Sequence, residues 1–239
     1  MRNKDKNSMQ RIKRNIWLKA FLFTSSISLA VFVILQSGVF NKAVADKRIA
    51  IQAYAGFDLH LAQKIKVALE NTYGCSVQML EAKPLPEWAF VNIKSPRYRA
   101  DSLLLDLKRN KPVGIDHVLG LSAKDISTTK KDAWGRVKKP IRRYQDWGVF
   151  GLGYRPGPAC VISTFRLHRS PQSLFESRVL KVSIHEIGHN LGLKHCETAH
   201  CVMADAAEKL STVDQVDAKL CEKCRRQINL EDSSLPSSL

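Results

Sequence analysis

Acidic residues are scarce in this 239-residue chain: 22 Asp and Glu stand against 38 Lys and Arg, for a net charge of +16. That deficit puts nucleic acid and anionic membranes first among the partners to weigh. Cysteine is sparse as well, and six in this length exclude a miniprotein built on disulfides. No cysteine lies near the end of the N-terminal apolar run, which argues against a lipoprotein, and no tyrosine follows Tyr154, which leaves the C-terminal part without a tyrosyl proton donor. Apolar residues are not lacking. At 44% hydrophobic and 25% charged, the chain can bury a core, which excludes wholesale disorder, and its length suits one domain.

The cations are unevenly placed. Residues 1–19 carry seven of them (Arg2, Lys4, Lys6, Arg11, Lys13, Arg14 and Lys19) beside one anion, Asp5. From Asp46 onward there are 30 cations and 21 anions. Residues 20–40 (AFLFTSSISLAVFVILQSGVF), from Ala20 to Phe40, hold no charge at all. As a helix this run would span about 31 Å, enough for a bilayer core. The basic cluster before it predicts a cytoplasmic N-terminus with the rest exported. Its length favours an uncleaved, single-pass membrane anchor with an extracytoplasmic domain. Ala43, Val44 and Ala45 before Asp46 leave the alternative of a signal peptide and a secreted product. The expected organisation is a tail and anchor over residues 1–45 and a folded domain over residues 46–239.

Residues 48–57 (RIAIQAYAGF) read as a strand. Residues 59–72 carry Leu61, Ala62, Ile65, Ala68 and Leu69 at the 3.6-residue period of an amphipathic helix, with Asp58 as N-cap and Gly74 as stop. A strand over 75–80, a helix over 97–109 and a strand over 113–121 follow. This β-α-β-α-β order predicts an α/β (α+β) domain, a layered mixed sheet with packed helices. Residues 122–146 are polar and rich in cations, and a solvated surface insertion is expected there; Trp134 and Tyr144 among the cations do not raise nucleic acid to an expected partner. Residues 148–167 read as two strands around a turn at Arg155 to Pro158. A helix with Pro171 at its first position then leads into residues 185–195, HEIGHNLGLKH.

On a helix, His185 and His189 share a face and can converge on one ion. Glu186 is displaced sideways, where it reaches a water on that ion without joining its ligands. Gly192 supplies the left-handed conformation that ends a helix, so the chain can turn and return His195 as a third ligand. Three imidazoles and an open position describe a catalytic zinc site. The extended motif is far more specific than H-E-x-x-H alone. Cys196, Cys201, Cys221 and Cys224 follow, and their spacing is close to that of a ribbon-type structural zinc site. Two disulfides are the alternative in an exported chain. His200, beside Cys201, is read as a bystander.

The string HEIGHNLGLKHCETAHCVM, then seventeen residues, then CEKC resembles the signature of the archaemetzincins at every fixed position. The resemblance covers residues 185–224. It implies a metzincin-like fold in which His185, His189 and His195 hold a catalytic zinc, with Glu186 as general base and acid. It also implies that Cys196, Cys201, Cys221 and Cys224 hold a second, structural zinc in a small C-terminal subdomain, and that Met203 is the Met-turn residue beneath the histidines. The implied activity is zinc-dependent hydrolysis of peptide or protein substrates, with an aminopeptidase mode among its forms. The region 148–164 is the expected edge strand along which an extended substrate would lie. Residues 204–220 look mostly helical. Cys75 and Cys160 are read evenly as a disulfide or as two buried thiols, and His60, His117 and His168 as isolated. The rival function is a zinc-stabilised module gripping nucleic acid or anionic lipid, its peptidase site vestigial.

Overall fold

The computed structural model describes residues 43–168, 171–205 and 209–230. Its main sheet has five strands: β1 (Arg48–Ala53), β2 (Ser76–Met79), β5 (His117–Ser122), β8 (Gly151–Gly153) and β9 (Ala159–Ser163), in the order β2-β1-β5-β9-β8. All neighbours are parallel except β8 and β9, which form an antiparallel hairpin. The two-residue alternation of side chains sorts these strands onto two cores. Ile49, Ile51, Leu119, Leu121, Cys160 and Ile162 face one side, where α1 (Leu59–Tyr73) and α4 (Gln172–Asn190) pack. Ala50, Val118, Ala159 and Val161 face the other, against α2 (Ala100–Arg109). The result is the mixed α/β layering that the sequence predicts.

α1 runs within a residue of its predicted bounds. The Asp58 carboxylate accepts from the amides of His60 and Leu61, and Gly74 closes the helix at φ 64°. The predicted helix over 97–109 is corrected: residues Pro96–Arg99 form strand β4, and α2 begins only at Ala100. The Leu103, Leu104 and Leu107 stripe is helical as read, but Arg97 to Arg99 pair in a second sheet. That sheet has the order β3 (Phe90–Asn92), β4, β6 (Ile126–Thr128), β7 (Trp147–Gly148). The expected solvated insertion is likewise tied down at both ends. Asp125, Ile126, Ser127 and Asp146 are buried, and Asp125 takes both Nε and Nη2 of Arg166 at 2.7 and 2.8 Å. Between them lies the short α3 (Ile141–Tyr144).

Pro171 is the N-cap of α4 rather than its first residue. The segment after Met203, expected to be mostly helical, holds one short helix among its described residues, α5 (Leu210–Gln215), before α6 (Glu222–Gln227). The membrane-anchored, extracytoplasmic location is also corrected. Among the described residues no helix is long and apolar enough to cross a membrane. The longest, α4, spans 19 residues but carries Glu176, Arg178, Lys181 and Glu186. The run from Ala20 to Phe40, on which that expectation rested, lies outside the described residues.

Candidate metal centres and active-site cleft

The last turns of α4 present His185 and His189 on one face, with ring centroids 4.5 Å apart. The helix stops at Asn190 because Gly192 takes φ 101° and its amide bonds back to the His189 carbonyl. The chain then reverses and brings the His195 ring to 5.4 and 5.0 Å from those of His185 and His189. One ring nitrogen from each of the three lies within 4.8 Å of the others. Nδ1 of His185 sits 2.8 Å from the Val202 carbonyl, and Nδ1 of His189 sits 2.8 Å from the Leu193 carbonyl. A carbonyl only accepts, so each Nδ1 carries the proton and each Nε2 keeps its lone pair. His195 is the most exposed of the three, with Nδ1 3.5 Å from Asp205. Burial pushes His185 down to about 4 and also lowers His189, so both imidazoles are neutral at neutral pH. The donor set fits a zinc ion bound through three imidazole nitrogens.

Glu186 is 7% exposed, and burial alone pushes its carboxyl up to about 8. It lies against β8. A β-carbon at Gly151 would stand 2.6 Å from Glu186 Oε1, and one at Gly153 would stand 3.2 Å from Oε2. Two glycines thus let the carboxylate press against the strand. Asn190, one turn on, fixes the hairpin to the helix: its Nδ2 donates to the carbonyls of Tyr154 and Ala159, both at 2.9 Å. Glu186 and the histidines open into a cleft of about 420 Å³, walled by Gly151 to Gly153 on one side and by Val182, Val213 and Val216 on another.

Met203 is fully buried against α4. A β-carbon at Gly188 would stand 2.5 Å from its sulfur and 3.2 Å from the Tyr73 hydroxyl, which donates to the Ile184 carbonyl at 2.7 Å. Gly188 is therefore the notch in α4 that admits the methionine. The loop that carries Met203 also supplies the Val202 carbonyl that orients His185, and the Met203 carbonyl accepts from the Cys196 amide.

Sulfurs of Cys196, Cys201, Cys221 and Cys224 lie within 4.8 Å of one another. Cys196 and Cys221 are 3.7 Å apart, and Cys201 and Cys224 are 3.8 Å apart. A disulfide needs about 2.05 Å. Four sulfurs bound tetrahedrally at about 2.3 Å stand about 3.8 Å apart. All four are free thiols spaced as the ligand cage of a closed zinc site would be. Burial raises Cys201 and Cys224. For Cys221 burial acts in the same sense, but hydrogen bonds from the Cys224 amide, Thr198, Cys201 and Cys196 bring it down to about 6.

The remaining candidates stay apart from both clusters. His200 is exposed, at φ 59°, with Nδ1 2.9 Å from the Gln215 carbonyl. His117 is buried, its Nδ1 bonded to the Gly157 carbonyl, and burial lowers its pKa. Cys75 and Cys160 are free, buried thiols, not a disulfide. Sequence reasoning missed Gly151, Gly153, Gly188 and Asn190. Gly188 and Asn190 lie inside the motif at its variable positions, and Gly151, Gly153 and Asn190 act through partners distant in sequence.

The model of "Peptidase family M54" matches residues 86–230. The archaemetzincin of Haloarcula marismortui is 37% identical over 172 residues, which cover 67% of this chain and 87% of that protein. The archaemetzincin of Halobacterium salinarum is 30% identical over 190 residues, covering 76% and 99%. The crystal structure of archaemetzincin from Methanopyrus kandleri is similar with a TM-score of 0.62 at 26% identity, over 77% of this chain and 94% of that one. That of archaemetzincin from Archaeoglobus fulgidus complexed with malonate gives 0.59 at 28% identity, over 75% and 99%.

Proposed function

The chain belongs to the archaemetzincins, peptidase family M54, and is a zinc metallopeptidase; on that premise we propose how its own residues divide the work. His185, His189 and His195 are the ligands of the catalytic zinc, and Glu186 is the general base and acid. Cys196, Cys201, Cys221 and Cys224 hold a second, structural zinc, so that each chain carries two ions. Met203 is the apolar floor that fixes the histidines from below. Residues 46–239 form the peptidase domain.

When bound, the catalytic ion would supply Lewis acidity toward a peptide carbonyl and toward water. The chain's residues do the rest. The carbonyls of Val202 and Leu193 hold His185 and His189 in the tautomer that offers Nε2. A cation at the neighbouring histidines would favour the ionised form of Glu186, which, set against Gly151 and Gly153, accepts a proton from the attacking water at a carboxylate oxygen and delivers it to the leaving amine. β8 is the outer strand of its sheet, and its free edge is where an extended substrate backbone would pair. Hydrolysis of peptide or protein substrates follows.

The single observation that carries this reading is the convergence of three imidazoles beside a buried carboxylate in one cleft. A vestigial site on a nucleic-acid or lipid-binding module has no need of that carboxylate, and the rival reading is not favoured. Glu186→Gln should lower turnover of a mixed peptide library by about 10²–10⁴-fold, while metal analysis still finds two zinc ions per chain. Full activity in that variant would overturn the role of Glu186. Acetylating the peptides' N-termini separates the two modes of cleavage, since an aminopeptidase loses its substrates and an endopeptidase does not.

A further inference from the structure

One wall of the cleft is left over by the hydrolytic groups. Lys181 lies four residues before His185 on α4, a spacing that puts both on one face. It is only 9% exposed, yet it lines the cleft beside Val182, Val213 and Val216. Lysines ordinarily keep their ammonium in water, and one buried this far at the foot of an apolar pocket is unusual. α5 holds it there: Nζ donates to the main-chain carbonyls of Val213 at 3.1 Å and Asp214 at 3.3 Å.

Both of those acceptors are neutral. The nearby carboxylate is engaged elsewhere, since Asp214 accepts at Oδ1 from Arg178 Nε at 2.6 Å and at Oδ2 from Arg178 Nη2 at 2.7 Å. Two cations thus share one anion, and the third N–H of the ammonium has no acceptor among the described residues. Glu186 and Asp205, the acids that line the cleft, stand against β8 and beside His195 respectively. A cation with an open donor, inside apolar walls, favours a carboxylate, gives less to a neutral amide and repels another cation.

Resting on the peptidase reading above, we propose that the pocket formed by Lys181, Val182, Val213 and Val216 takes a substrate carboxylate close to the cleaved bond, making Lys181 a specificity-determining residue. The carboxylate comes from an Asp or Glu side chain or from the peptide's own C-terminus, and the walls accept the methylenes that carry it.

The test is a set of fluorescent peptides in which Glu, Gln or Lys is scanned through each position, each made as the C-terminal acid and amide. Binding is measured on zinc-loaded Glu186→Gln protein, so that no turnover is needed, and cleavage by the wild type is followed in parallel. At one position Glu should bind about tenfold or more tighter than Gln, with Lys weakest. A preference that follows the terminal acid instead identifies the C-terminus as the source. Adding Lys181→Met should bring the acid-to-neutral ratio close to one. Lys181→Gln, which can still donate to both carbonyls, should do the same without the packing change, and Lys181→Arg should keep the preference. No acid preference, or one that survives both neutral variants, overturns the proposal. Peptides bound with acid preference but never cut by the wild type would strike the peptidase reading alone.

Discussion

At the residue scale, the chemistry depends on side chains that are missing as much as on those present. Glu186 can rest against β8 only because Gly151 and Gly153 carry no β-carbon; the first would otherwise come within 2.6 Å of a carboxylate oxygen. Gly151→Ala should therefore displace the carboxylate while leaving the histidines in place. The expected result is a fall in kcat of about 10²-fold, the scale of a misplacement near 1 Å, with zinc content unchanged. Unaltered kcat would show that the carboxylate finds its position without the glycine. The convergence of the three histidines beside Glu186, and of the four cysteines, was legible in the sequence, because their spacing on a helix and after its turn dictates which atoms meet. The glycines were not. Gly151 lies 35 residues from Glu186, and nothing local to a G-L-G strand announces its partner.

At the element scale, α4 is joined to α5 by a pair that also responds to pH. Hydrogen bonds from Arg178 hold the Asp214 carboxyl below the usual carboxylate range. A group with a depressed folded pKa stabilises the fold above its unfolded value, near 3.9, and that contribution is lost as pH falls through the folded value. Asp214→Asn should cost about 2 kcal/mol in urea unfolding at neutral pH, because Arg178 is left buried and poorly paired. The gap from wild type should then close as pH is lowered below about 4. A gap independent of pH would mean that Asp214 acts through packing. α1 and α2 were readable from their apolar period, and β5 and β9 from continuous apolar runs. The second sheet was not readable. Its strands are two to four residues long and find partners through distant pairings such as Tyr98 with Ile126, too short a length for alternation to register. Arg97 and Arg99, which read as the start of a helix, are instead held by Asp125 and Asp146.

At the scale of the whole molecule, the C-terminal part has few elements to hold it: two helices of six residues each among the described residues, and the cysteine cluster. Ligands must lose protons to bind metal, and binding free energy in so small a subdomain becomes folding free energy. With zinc held at both clusters, as proposed above, a thiol reagent should find its targets slowly. After treatment with a strong chelator, four thiols should react quickly while Cys75 and Cys160 stay protected until the protein is unfolded. Six thiols equally protected before and after chelation would remove metal from the account of this region. The +16 charge, which pointed first to anionic partners, is unevenly placed: residues 1–19 carry seven cations beside one anion, and from Asp46 onward 30 cations stand against 21 anions.

The β8 edge has a consequence for anyone wishing to redirect this enzyme. Two of its three residues are glycine, so the rail along which a substrate backbone would be gripped is bare, and main-chain pairing reads every sequence alike. Discrimination is then delegated to the cleft walls on α4 and α5. Directed evolution toward a new target would gain little from randomising Gly151 and Gly153, where a side chain disturbs Glu186, and most from varying Lys181, Val182, Val213 and Val216 together. Recognition and hydrolysis would thus be separately evolvable, lodged in different strips of one chain.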